Sequence, residues 1–209
     1  MPLSEYNREQ IDTLMKVRDF LKDQSPSEIS LIKDMARSFL EFRAVVADFQ
    51  KENLSDICTV KCFQDMQSAC CNREGIATFF ADFVVNVINA DETELDIMEE
   101  QLLGESTGNK CVYLTDCGCL WRYKPIVCEM FLCNHAKKAL KEKGTAYISK
   151  WDRLREEERK YTWPDKPVLF DELENLFLVK GIESPLMYFH KSPGLLRLKS
   201  GWKQGKPIN

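Results

Sequence analysis

Nine cysteines, all of them between positions 58 and 133 of a 209-residue chain, constrain this protein more than any other feature. The first ten residues, MPLSEYNREQ, lack a basic segment followed by an apolar one, so no secretory signal is expected. The longest apolar stretch, 79–90, is interrupted by Asp82 and Asn86 and is too short to span a bilayer. The expected compartment is therefore cytoplasmic, and there disulfides do not persist. Dense thiols then read as metal ligands or reactive groups. An odd number also forbids complete internal pairing. Isolated buried cysteines that merely pack are the bland alternative. Crowding into one third of the chain argues against it.

Composition narrows the class. Hydrophobic residues make up 44% and aromatic ones 11%, enough to build a core and too many for a disordered chain. A net charge of −4 argues against nucleic acid as a partner, which would call for a basic excess. No membrane association is expected.

The pattern along the chain predicts a mainly α fold. It comprises an N-terminal antiparallel helical hairpin and a cysteine-rich metal-binding core with one or two short β-hairpins. Three regions of one compact domain follow: 1–57 as the helical hairpin, 58–144 as the cysteine-cluster region, and 145–209 as a helical and hairpin extension. Residues 4–23 carry Ile11, Leu14, Val17 and Leu21 on one stripe. Ser25-Pro26-Ser27 breaks the pattern, with Ser27 as the expected N-cap of a long helix over 28–51. On that helix Ile32, Met35, Phe39, Phe42, Val46 and Phe49 form a seam at alternating spacings of three and four. An intramolecular seam is the simpler reading. A protein partner docked on the 28–51 helix is the alternative.

Residues 58–73 have no helical or strand period and are expected to be irregular, ligand-bearing backbone. Ile76, Phe79, Phe80, Phe83, Val84, Val87 and Ile88 predict a helix over 75–89 whose stripe is core. Asp91 caps the next helix and Gly104 stops it. Residues 110–123 read as a hairpin turning at Asp116–Gly118. Pro125 opens a helix expected to run to 143 and stop at Gly144. Asp171 is the expected cap of a short helix ending near Gly181, and 187–198 the expected second hairpin.

The cysteine spacings carry the chemistry. Cys58, Cys62, Cys70 and Cys71 precede the amphipathic helix, and Cys111, Cys117, Cys119, Cys128 and Cys133 follow it. No C-x2-C occurs, which disfavours zinc ribbons, thioredoxin-type pairs and bacterial ferredoxins. What remains is a composite site from two distant segments, with Cys58, Cys62, Cys70, Cys71, Cys111, Cys119 and Cys128 as candidate ligands. Four thiolates suffice for tetrahedral zinc or a four-iron cluster. Adjacent side chains diverge along an extended backbone, so Cys70 and Cys71 do not readily grip one small ion. That favours an iron–sulfur cluster, with zinc as the alternative. His135 lies seven residues after Cys128 and would share its helix face; it could be a mixed ligand or a proton donor, but reads first as a surface or supporting residue.

These residues resemble the YkgJ-type cysteine-cluster family, described as zinc- or iron-chelating domains and including flagellin lysine N-methylase. The match spans about 58–133. Cys62 and Cys70-Cys71 correspond to the family's opening cysteines. Cys111-Val112-Tyr113-Leu114, Cys119, Trp121, Lys124-Pro125 and Cys128 correspond to its second half. The chain departs from the pattern in its seven-residue gap before Cys70 and in Lys124, where the family has Arg. Cys58, Cys117 and Cys133 lie outside the simplest pattern. The resemblance implies a metal more firmly than a reaction. It also raises a lysine methyltransferase as an alternative, although no glycine-rich nucleotide fingerprint is present. A zinc-stapled interaction module is a third possibility.

Overall fold

The computed structural model describes residues 3–72, 77–104, 110–163, 166–192 and Leu196. It is mainly helical, with one two-stranded antiparallel hairpin among the described residues.

Helix α1 (Glu5–Lys22) starts at Ser4, whose side chain accepts the Asn7 N–H. Helix α2 (Pro26–Ser55) starts two residues earlier than Ser27 would place it. Ser25 is the N-cap, in a reciprocal capping box with Glu28 and with Pro26 in the first turn. The α2 stripe is core: Ile32, Phe39, Val46 and Phe49 are buried. It is thus covered by the chain itself. The two helices have different principal neighbours. Helix α1 lies on α3 (Phe80–Val87) and α4 (Glu92–Leu103), whereas α2 packs on α6 (Asn134–Lys143), α7 (Thr145–Thr162) and α8 (Leu169–Leu178). An apolar stripe shows that a face is covered, not what covers it.

Ion pairing and aromatic packing lock these layers. Arg18 of α1, only 6% exposed, reaches Glu92, Asp96 and Glu99 of α4 at 2.7–2.8 Å. Phe177 of α8 packs against Phe20 and edge-on against Phe80, and Phe170 meets Phe39 edge-on. Glu174 is fully buried. It accepts the backbone N–H groups of Phe189 and His190, with the His190 ring at 3.0 Å, and so docks the C-terminal segment.

Several sequence expectations are corrected. Of residues 58–73, expected to be irregular, 58–64 belong to a π-helix (Asp56–Gln64) continuing from α2. Helix α3 begins only at Phe80, because the Phe79 N–H is held by the Asp82 carboxylate outside the helix. The early part of that expectation, including Ile76, lies outside the described residues. The helix expected from Pro125 to 143 is two pieces, α5 (Ile126–Glu129) and α6. Cys133 caps the second through its sulfur. Helix α8 starts from Val168, with Asp171 buried in its first turn. Where a second hairpin was expected, Phe189–Lys191 is a 3-10 turn, and the return strand, apart from Leu196, lies outside the described residues. Asp91, with its capping box to Glu94, and Gly144, at φ 128°, act as expected.

One set of buried polar contacts sets the course of the chain through the cysteine region. From α3, Asp82 accepts the Ile126 N–H at 3.0 Å and Asn86 accepts the Tyr123 N–H at 3.2 Å. From α2, Arg43 donates to the Lys124 carbonyl at 2.6 Å and Gln50 to the Glu129 carbonyl at 2.5 Å. Irregular backbone must find partners when buried, and side chains from two core helices supply them here.

Burial pushes the Asp82 carboxyl up to about 6, although the Phe79 and Ile126 N–H groups and Arg43 oppose the shift. The native state therefore holds this proton more tightly than the unfolded chain does. The group's contribution to stability is full below about pH 4 and is lost as pH rises through about 6. Asp82→Asn cannot titrate. It should start less stable than the parent at pH 4 and close the gap by about 2–3 kcal/mol by pH 7 in urea denaturation. A gap independent of pH would show that this carboxyl titrates normally.

Candidate metal centre

The two cysteine segments meet through the backbone. The Cys111 N–H donates to the Cys71 carbonyl at 3.1 Å, and Asn72 and Lys110 form an antiparallel bridge. Lys110 Nζ donates to the Gln67 carbonyl, tying down the loop that leads to Cys70. Beyond it, the hairpin β1 (Leu114–Thr115) and β2 (Gly118–Cys119) pairs Leu114 with Cys119. This returns the chain beside Cys111. Gly118, at φ 120°, permits the tight turn, and Cys117 sits exposed at its tip.

Five thiols, Cys70, Cys71, Cys111, Cys119 and Cys128, line one cavity of about 220 Å³. Its back wall is fixed by Tyr113, whose hydroxyl donates to Gln10 of α1 at 2.9 Å, and by Trp121, edge-on to both Phe83 and Tyr113. Lys124 supplies a positive charge at the cavity. Cys58, Cys62 and Cys133 lie off this wall, and His135 is exposed on α6.

Local geometry readies these sulfurs as acceptors. Cys111 takes backbone N–H groups from Tyr113 and Leu114, and Cys119 takes one from Trp121. Such bonds stabilise a thiolate. Burial acts the other way and is larger. It holds the Cys111 thiol up at about 11 and that of Cys128 at about 12, with neighbouring cysteines adding to both. Burial raises Cys119 as well. The adjacent pair divides a proton: Cys70 donates to Cys71, so Cys70 is pushed up and Cys71 down.

The donor set fits a thiolate-ligated centre. The sulfurs are soft donors from two segments, and the buried Trp121 indole N–H at the same cavity has no hydrogen-bond partner among the described residues. As placed, no group of three or more His, Cys, Asp or Glu among the described residues is arranged to hold a metal ion. The thiols ring a space and do not converge on a point. Spacing alone did not reveal the contributions of Asp82, Tyr113 and Gln10, because support of this kind leaves no local pattern. Tyr113 and Trp121 were legible only as part of the family resemblance.

Comparison with protein-family models, curated proteins and solved structures finds no match to this chain. No described helix is long and apolar enough to cross a membrane.

The thiols differ in readiness to react. With a slow alkylating reagent at pH 7.5 on metal-free protein, mass spectrometry should find Cys117 modified first and Cys111 and Cys128 last. Equal rates at Cys117 and Cys128 would show that the cavity thiols are not shielded.

Proposed function

We propose that this is a cytoplasmic metal-binding protein. Its centre, an iron–sulfur cluster in preference to zinc, is held by thiolates at the cavity of Cys70, Cys71, Cys111, Cys119 and Cys128. One observation carries the reading: five cysteines from two segments separated by a whole helix line a single cavity, with their backbones joined at Cys71 and Cys111.

The cavity itself favours a cluster. Four sulfurs closing on one zinc ion at about 2.3 Å leave no space between them, whereas these thiols surround about 220 Å³. Such a cluster supplies one-electron redox chemistry and a cross-link between the two segments. The protein's residues hold the thiolates, shield them from water behind Tyr113 and Trp121, and set Lys124 beside the accumulated negative charge. A reducing compartment belongs to the reading, since it keeps these thiols available.

Elemental analysis with electron paramagnetic resonance on anaerobically purified protein tests this. Iron with matching sulfide and a brown colour is the expected result. One zinc and no colour would replace the cluster with a staple. Cys128→Ala and Cys70→Ala should each lower bound metal at least several-fold and loosen the fold, read as a lower thermal midpoint. Metal content unchanged in both variants would overturn the assignment of the site.

A further inference from the structure

Five thiols line the cavity, whereas four thiolates complete a tetrahedral zinc site or a four-iron cluster. Two of the five, Cys70 and Cys71, are neighbours in sequence. Neighbouring side chains diverge where the backbone is extended. Here it is not extended. The Cys71 N–H donates to the Ser68 carbonyl at 2.9 Å, which closes a turn with Cys70 inside it. Both side chains line the same cavity. We propose that Cys70 and Cys71 are a reversible oxidation site: a hydroperoxide converts them into a vicinal disulfide, which leaves the cavity too few thiolates to keep its metal. The loss of metal rests on the centre proposed above, whereas the oxidation site itself does not.

The turn is held at both ends. Before it, the Gln67 and Ser68 N–H groups donate to the Cys62 carbonyl, and Lys110 Nζ donates to the Gln67 carbonyl. After it, the Cys111 N–H donates to the Cys71 carbonyl, and Asn72 bridges Lys110. Ser68, at φ 36°, is a non-glycine residue in the left-handed region, a cost that persists where the surroundings require it. The backbone that carries the pair is thus fixed by protein contacts alone. Access distinguishes the pair from its neighbours. Cys70 is exposed, whereas Cys71, Cys111, Cys119 and Cys128 are half-buried. An oxidant arriving from solvent meets the pair at Cys70 before it meets the other three thiols of the wall.

The geometry of adjacent residues makes such a bridge reversible. Consecutive Cα atoms lie about 3.8 Å apart, short of the roughly 4.4–6.8 Å that ordinary disulfides span. A vicinal bridge is therefore strained, and strained or exposed disulfides are the readily reduced ones. One sulfur of the pair attacks a peroxide oxygen, the O–O bond breaks, and water or an alcohol leaves, giving a sulfenic acid. The other sulfur attacks that sulfenic sulfur. The S–S bond forms, and the hydroxyl leaves as water with the second thiol proton. Two electrons pass from the pair to the hydroperoxide. A dithiol reductant opens the bridge again by exchange. Once oxidised, the pair supplies no thiolate. Cys111, Cys119 and Cys128 remain, one fewer than either kind of centre needs.

The experiment adds hydrogen peroxide to full-length protein, once metal-free and once metal-loaded, alkylates the remaining thiols and maps the peptides by mass spectrometry. In metal-free protein the first disulfide should join Cys70 to Cys71 and disappear with dithiothreitol. In loaded protein bound metal should fall at least several-fold as that bridge forms, and reduction followed by fresh metal should restore it. Metal-free Cys70→Ser and Cys71→Ser variants should each stop at a sulfenic acid on the remaining sulfur, trapped by a dimedone probe. A first disulfide elsewhere in unsubstituted protein, or irreversible oxidation of Cys70 there, would overturn the oxidation site whether or not the variants fold. A bridge that forms while the metal stays bound would overturn the release. Protein that takes up no metal at all fails the proposed centre and the release with it, while the metal-free sample still decides the Cys70–Cys71 bridge.

Discussion

The course of the chain from Trp121 to Cys133 depends on a few buried side chains of α2 and α3. This stretch carries two cysteines and only one four-residue helix, so most of its backbone groups have no regular partner. Asp82, Asn86, Arg43 and Gln50 provide them. Because α2 and α3 are themselves fixed by core packing, the sulfur positions are inherited from the aromatic core. This arrangement carries a desolvation cost. Arg43 and Glu129 are both nearly buried, their contact is a long 3.4 Å, and Arg43 Nε lacks a partner. Buried charge of this kind is a poor source of stability. Its effect here is positional, since it holds Lys124 and Glu129 on either side of Cys128.

How much of this was legible follows from what each signal measures. Hydrophobic period reports one face of one element, so the α2 stripe and the α3 stripe were readable, whereas the pairing of α1 with α3 and α4 was not. Caps are local chemistry, so Asp91 with Glu94 was readable. Ser27 is the cap that the sequence suggests, whereas Ser25 is the cap observed, because Glu28 three residues after it completes the capping box. The break between α5 and α6 has no Gly or Pro to announce it. A cysteine sulfur caps α6, a role outside the usual set of Ser, Thr, Asp and Asn. The π-helix has no sequence rule at all. That two segments would meet was readable from thiol chemistry. Which thiol would stand beside which was not, because it depends on where α6 and the π-helix lie.

Burial is graded across the cysteine region. Around the cavity, burial keeps Cys111, Cys119 and Cys128 protonated at neutral pH, which spares the core several like charges in one small space. A cation that displaces those protons converts repulsion into ligation, so occupancy and proton release are linked and affinity rises with pH. The Tyr113, Leu114 and Trp121 N–H groups lower the cost of that exchange without removing it. Toward the π-helix, Cys58 is exposed and has no such shield. The pocket against α3 is therefore built by the core and the buried clamp of Asp82, Asn86, Arg43 and Gln50, which fix the backbone that carries Cys128 whether or not its proton is displaced.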